Sequence, residues 1–361
     1  MKRMDIRTYN YKTTPYEHQL ETLSRSAHKN LFALFLEMGL GKSKILLDNA
    51  SILFEQGKIT GLLIVTPKGN LRNWDTHEIS KHLPDQIERN VLVWQPNHTQ
   101  QWTQDYEKMV KEDSDGVLNI FLVNVEAFAT VRACTFVEEF LVTHDVMMAV
   151  DESTTIKNPK AKRTKHLIKL APLADYRRIL TGFPITKAPL DLYSQCYFLS
   201  PNLLGFSSYY AFSARYAITQ ARRMGAHSFQ QIVGFQKLEE LQESIKDFSI
   251  RKTKDECLDL PEKVYVKRYV ELSDEQKKAY STMKQKALMV LENEVYSTMN
   301  VLTQIMRLQQ VVAGSLRNEA GETVVLDNNR IQTVLDLLEE TSAKVVIFAV
   351  FQTDIQRLES T

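Results

Sequence analysis

The stretch LFALFLEMGLGKS, from Leu31 to Ser43, constrains this chain more than any other. Leu31 to Leu36 is an apolar run of the kind buried on both faces of a parallel sheet. Gly39 and Gly41 follow, then Lys42 and Ser43. Without side chains, the glycines permit a tight turn whose backbone N–H groups point inward. Those donors, together with the helix N-terminus behind them, attract phosphate oxygens. Lys42 is then placed to reach the β- and γ-phosphates of a nucleotide, and Ser43 to ligate magnesium. The strict P-loop pattern has Gly where this chain has Leu36, so the match is partial and leans on the strand before it and the helical spacing after it.

The bulk numbers set bounds on the function. Lys+Arg 45 against Asp+Glu 44 leaves a net charge of +1, so any nucleic-acid site must be a local patch rather than a global basic field. Cys134, Cys196 and Cys257 are far apart and form no metal-ligand spacing, which suits reduced cysteines in a cytoplasmic compartment. The N-terminus MKRMDIRTYNYK has no apolar core and does not read as a signal peptide. No run approaches the ~20 apolar residues of a membrane span. At 361 residues, two domains are expected.

Residues 1–14 are polar and read as a surface extension. Tyr16-Glu17-His18-Gln19 then opens a helix. Gln19 has an amide that both donates and accepts, as adenine recognition needs; alone it would pass for a solvated helix residue. After the loop, Lys44 to Phe54 has helical spacing, and Leu62 to Val65 reads as a second strand. Further strands fit Val91 to Trp94, Ile120 to Asn124, Val146 to Val150 and Ile179 to Leu180. Strands alternating with helices argue for an α/β lobe with a mostly parallel sheet, whose ligands sit at the strands' carboxyl ends. Lys42, Lys68, Asp151 and Thr181 all fall just past strand ends. An Asp in the position of Asp151 can hold Mg²⁺, and Glu152 can orient or deprotonate an attacking water. Lys157 to Lys169 is a basic run, either a solvated helix face or a contact to nucleic-acid phosphates. Residues 186–260 read as helical and aromatic-rich, with a stripe of Leu238, Leu241, Ile245 and Phe248 before the basic cluster Arg251-Lys252-Thr253-Lys254. A second unit opens with an alternating strand at Val264 to Leu272. A capping box at Ser273 to Gln276, a hairpin around Asn318 to Gly321 and a buried strand at Val345 to Phe351 follow.

These motifs resemble the Swi/Snf-related DNA translocases of helicase superfamily two. EMGLGKS resembles their motif I and YEHQ their upstream Gln motif. VTPKGNLRNW is similar to motif Ia, VDESTTIKN to motif II and LTGFPI to motif III. IRKTKDECLDLPEK is similar to the basic segment that enters the second lobe, and LTQIMRLQQVVAG and KVVIFAVFQTDIQRLE to that lobe's first helices and motif IV. The DES form of motif II is closest to compact bacteriophage members. The resemblance implies a RecA-like ATPase lobe at 15–185, a helical insertion at 186–260 and a partial RecA-like second lobe at 261–361. It implies ATP and Mg²⁺ as nucleotide and metal. The DNA partner would be duplex and read without regard to sequence, by a protein outside the membrane and in the cytoplasm, the host's if viral. Carried over by position, Gln19 would read adenine. Met38, Gly39, Leu40, Gly41, Lys42 and Ser43 would cradle the phosphates, Ser43 and Asp151 would hold Mg²⁺, and Glu152 would activate water. Thr181 and Gly182 would couple the nucleotide to DNA, and Lys68, Arg72, Trp74 and Lys157 would lie along the DNA track. Phe183 stands where the family has Thr in motif III. Motifs V and VI, the latter supplying arginine fingers, do not occur within 361 residues, because Arg307, Arg317, Arg330 and Arg357 lack that context. The expectation is therefore an incomplete second lobe that binds ATP, hydrolyses it slowly and leaves the Val345 to Phe351 strand without neighbours. The rival expectations are an ATP- and DNA-binding pseudo-enzyme and an RNA-directed helicase of the same superfamily.

Overall fold

The computed structural model describes residues 5–111, 116–224, 227–292, 298–317 and 322–360. The chain divides after Pro261 into two units. The first is built on a seven-stranded sheet, β1 (Leu31–Leu36), β2 (Gly61–Thr66), β3 (Glu88–Val93), β4 (Val117–Asn124), β5 (Val146–Asp151), β6 (Tyr176–Leu180) and β9 (Ser249–Lys252). Their order across the sheet is β3-β4-β2-β5-β6-β1-β9, and every pairing is parallel.

The central strands are apolar throughout because both faces are covered. Leu62 and Ile64 of β2 enter one core with Phe32, Leu34, Leu122 and Met147; Leu63 and Val65 enter the opposite core with Phe35, Phe121, Met148 and Val150. That is the two-residue period of a strand read on both sides. Each such side chain contributes roughly 1.5–3 kcal/mol by leaving water.

The register sets one edge of this sheet. Val65 pairs with Val150 and Asp151 with Leu180, while Leu34 pairs with Leu180 and Leu36 with Lys252. Thr66, Asp151, Thr181, the end of β1 and residues 252–254 therefore emerge side by side. Helix α1 (Glu17–Ser26) precedes β1, and α2 (Lys42–Glu55) follows it. Arg178, fully buried on β6, locks these elements together. Its Nε donates to Asn49 Oδ1, Nη1 to the carbonyls of Asn30 and Arg177, and Nη2 to those of Ser26 and Lys29. All five guanidinium N–H groups are satisfied without a carboxylate, and burial pulls its pKa down to about 9.

Several expectations change. The segment before α1 is not merely surface: Ile6 and Tyr9 are buried, and Tyr9 Oη donates to Glu55 Oε1 on α2. Residues 186–260, expected as a helical insertion and inter-lobe segment, are not helical throughout. Helices Leu192–Leu199 and Tyr209–Tyr216 are followed by an antiparallel hairpin, β7 (Ala217–Met224) with β8 (His227–Phe235), whose backbones satisfy each other across the pair with a register irregularity between Ile218 and Thr219. After a third helix, Leu238–Ile245, β9 joins the main sheet because the edge of β1 offers unpaired backbone groups.

In the second unit the capping box is present, with Gln276 N–H donating to Ser273 Oγ and Ser273 N–H to Gln276 Oε1, at the start of helix Asp274–Glu292. A helix Thr298–Ala313 follows, then β10 (Ser315–Arg317) paired antiparallel with β11 (Thr323–Val325), and helices Arg330–Glu339 and Gln352–Ser360. The expected turn at 318–321 lies outside the described residues. The expected strands at Val264 to Leu272 and Val345 to Phe351 do not form. Neither segment has a hydrogen-bonded neighbour strand among the described residues, so their apolar residues stay exposed, Val264 by 84% and Phe348 by 93%. No described helix is long and apolar enough to cross a membrane.

Candidate nucleotide site

The turn after β1 is a cradle built from glycine geometry. Gly39 (φ +87°) and Gly41 (φ +81°) take left-handed conformations that a side chain would strain. Gly41 is also the N-cap of α2, which opens with Lys42. A Cβ at Gly41 would lie 2.3 Å from Gln19 Nε2, so only glycine lets α1 approach this closely. From α1, His18 Nε2 lies 3.1 Å from the Leu40 carbonyl and Gln19 Nε2 donates to it at 3.2 Å, while Gln19 Oε1 accepts from Tyr16 N–H. The Gln19 amide thus holds the loop from below, with one N–H and one lone pair left over. His18 was not singled out by sequence reasoning.

Lys42 donates from Nζ to the Leu36 carbonyl at 3.0 Å, an interaction within the loop itself. Burial lowers its pKa; Glu152 and Asp151 oppose that shift and Lys254 adds to it. Ser43 sits half-buried on the first turn of α2, and Met38 is exposed at the loop's rim.

Asp151, at the end of β5, is the most elaborately held side chain of the site. Its Oδ2 accepts from Thr66 Oγ1 (3.0 Å), Asn70 Nδ2 (2.9 Å) and Trp74 Nε1 (2.9 Å), and its Oδ1 accepts from Glu152 N–H (3.0 Å). Trp74 is fully buried. This differs from its expected place on the DNA track: an indole enclosed by the core and donating to Asp151 presents no surface to DNA. Thr66 and Asn70 complete the set. Their four-residue spacing across a strand end is the sequence signal for them.

Glu152 adopts φ +47°, one of two described non-glycine residues with positive φ. Such a backbone costs of order 1–3 kcal/mol and persists where surrounding contacts enforce it; here the Glu152 N–H bond to Asp151 does so. Its pKa is raised, first by burial and then by the neighbouring Asp151, while Lys42 and Thr181 pull it back. Thr181 Oγ1 lies 3.4 Å from Glu152 Oε2 and accepts from Phe183 N–H. Gly182 packs on the cradle: a Cβ there would meet the Leu36 carbonyl and the Met38 nitrogen at 3.4 Å. Buried Ser153 donates to Gln195 Oε1, and Gln195 Nε2 donates to the carbonyls of Pro184 and Asp191. The segments after β5 and β6 are thereby tied into one body.

The structure thus gathers Gln19, residues 38–43, Asp151, Glu152, Thr181 and Gly182 at one edge of the sheet. Lys68 and Arg72 are exposed on the turns after β2. Lys157 is engaged by Thr186 Oγ1 and lies 3.9 Å from Asp191 Oδ2. Two residues that sequence reasoning left without a role also reach the loop: Glu37 Oε2 accepts from Lys254 N–H at 2.7 Å. No local signal could have found this pair, which is 217 residues apart in sequence. Among the described residues, no cluster of three or more His, Cys, Asp or Glu could hold a metal alone. An Asp151 carboxylate with the Ser43 hydroxyl fits a hard cation such as Mg²⁺, which takes oxygen ligands and completes its shell with phosphate and water.

Residues 19–315 match the SNF2-related domain family. Similar proteins include the uncharacterized ATP-dependent helicase MG018 of Mycoplasma genitalium, 25% identical over 335 residues, covering 91% of this chain and 29% of that protein. Chromatin remodeling factor mit1 of Schizosaccharomyces pombe is 27% identical over 258 residues, 71% of this chain and 16% of that protein. The chain therefore spans less than a third of the length of these relatives. Among solved structures, the Sulfolobus solfataricus SWI2/SNF2 ATPase core in complex with dsDNA superposes with a TM-score of 0.54 at 25% identity, covering 99% of this chain and 71% of that one. With its loop, acidic pair and parallel sheet arranged as described, and with most of its length matched, the chain belongs to the SNF2-related family.

Proposed function

We propose that the chain binds Mg²⁺-ATP at the cradle and couples its hydrolysis to movement along duplex DNA. The observation that carries this reading is the convergence of Asp151, Glu152 and Thr181 beside the Gly39–Ser43 loop. The relatives named as an ATP-dependent helicase and the structure solved with dsDNA support it from outside.

Each residue then has a task. The backbone N–H groups of the loop and the start of α2 receive phosphate oxygens. Lys42, kept from full hydration by burial, offers a cation to the β- and γ-phosphates. Ser43 and Asp151 would hold Mg²⁺, which when bound neutralises charge on the phosphates and helps orient them. Asp151 is fixed for this by Thr66, Asn70 and Trp74. Glu152, with its proton affinity raised, orients and accepts a proton from the attacking water. Thr181 links Glu152 to the turn after β6, the route by which a DNA-side change would reach the water-activating group. Gln19 contributes to adenine recognition through its remaining donor and acceptor. Lys68 and Arg72, exposed beyond β2, contact DNA phosphates and read no sequence.

The test is ATP hydrolysis with duplex DNA, with RNA and with neither. Stimulation by duplex DNA irrespective of sequence supports the proposal. Stimulation by RNA alone replaces it with the RNA-directed reading, and ATP binding without hydrolysis in any arm replaces it with the pseudo-enzyme.

A further inference from the structure

We propose that Lys254 is a second phosphate-binding cation of this site, favouring the nucleotide that carries the terminal phosphate. The proposal rests on the nucleotide reading above and extends it.

The placement follows from the pairing of β9 with β1. Leu36 is in register with Lys252, Glu37 N–H donates to the Lys252 carbonyl at 3.1 Å, and Lys254 N–H donates to Glu37 Oε2 at 2.7 Å. Lys252 and Lys254 are thus pinned to the entry of the phosphate cradle. From there the Lys254 side chain runs over Gly39, where an added Cβ would meet its Cε at 3.7 Å and its Nζ at 4.0 Å. The positive φ of Gly39 is part of what shapes the cradle.

Charge points the same way. Lys252, two residues earlier, is paired with Glu21 at 2.7 Å. The Lys254 ammonium, among the described residues, has no carboxylate within 4 Å. The side chain lies over Gly39, three residues before Lys42 on the same turn. Two ammonium groups near one glycine turn repel each other, and a polyphosphate between them would relieve that repulsion. Because the terminal phosphate adds negative charge, the gain is larger for ATP than for ADP. Lys254 also stands seven residues before Pro261, the end of the first unit.

The experiment titrates fluorescent ATP and ADP analogues with Mg²⁺ into the whole chain carrying Lys254→Ala, Lys254→Gln, Lys254→Arg or Lys42→Ala, with thermal unfolding to verify folding. Loss of a charge-assisted contact predicts ATP binding roughly tenfold weaker or more in Lys254→Ala and Lys254→Gln. ADP should be affected less, and Lys254→Arg should retain most of the affinity. Lys42→Ala should lose both nucleotides. Wild-type ATP affinity in folded Lys254→Ala and Lys254→Gln, with binding lost in Lys42→Ala, overturns the role of Lys254 and leaves the site intact. Equal weakening of ATP and ADP overturns its preference for the terminal phosphate. Wild-type binding in Lys42→Ala overturns the nucleotide site itself.

Discussion

Trp74→Phe separates two meanings of one side chain. The substitution keeps an aromatic ring in the core and removes the indole N–H that donates to Asp151 Oδ2 at 2.9 Å. Asp151 then keeps its bonds from Thr66, Asn70 and the Glu152 backbone but loses one of four. A hydrogen bond to a charged group contributes about 1.5–3 kcal/mol, and the smaller ring leaves a void that adds about 1 kcal/mol. Urea unfolding should therefore show a loss of about 3 kcal/mol. A weakening of about 1.4 kcal/mol in how firmly the carboxylate is held at the reacting geometry corresponds to about tenfold in rate, so single-turnover ATP hydrolysis should slow by at least about that factor. DNA affinity, read by fluorescence anisotropy without nucleotide, should stay within about twofold of wild type. The opposite pattern, DNA binding falling tenfold while hydrolysis and stability hold, would refute the positioning role and return Trp74 to the DNA track.

Two further outcomes are expected. The double charge reversal Lys68→Glu with Arg72→Glu should weaken DNA binding equally for unrelated sequences and flatten its salt dependence, because fewer counterions are released; an unchanged salt slope would remove these residues from the interface. Arg178→Met should destabilise the first unit by about 3–5 kcal/mol, since it leaves buried carbonyls of α1 and the β1 approach without donors, and a loss below about 1 kcal/mol by denaturant titration would show that the clamp is dispensable.

The parts of the fold that sequence reading captured are those written locally. Leu31 to Leu36, Leu62 to Val65 and Val146 to Val150 are apolar runs that only a strand covered on both faces can bury. The loop glycines and the acids after β5 follow them within a few residues, so the centre of the site was legible as well. What escaped depends on distant partners. Ser249–Lys252 is four residues long with two basic side chains, and it is a strand because the edge of β1 receives it. Lys254 reaches the cradle by that pairing and by its N–H bond to Glu37. Trp74 looked like a surface contact until the fold enclosed it and gave its N–H a buried carboxylate, the usual end for an indole in a core. Conversely, Val264 to Leu272 has the apolar alternation of a strand and Val345 to Phe351 the unbroken apolar run of a buried one, and both lack a neighbour strand among the described residues. Pattern proposes a strand, and backbone pairing decides it.

The central claim is that Glu152 activates water for phosphoryl transfer at a cradle that binds ATP without it. Glu152→Gln keeps the side chain's size and its hydrogen bond from Thr181 while removing the basic oxygen. The direct measurement is single-turnover hydrolysis of radiolabelled ATP, with protein in excess and duplex DNA present, beside equilibrium ATP binding by the same samples. ATP affinity should stay within a few-fold of wild type while hydrolysis slows by roughly 10²-fold or more, the usual worth of a general base. Equal hydrolysis by wild type and Glu152→Gln would contradict it.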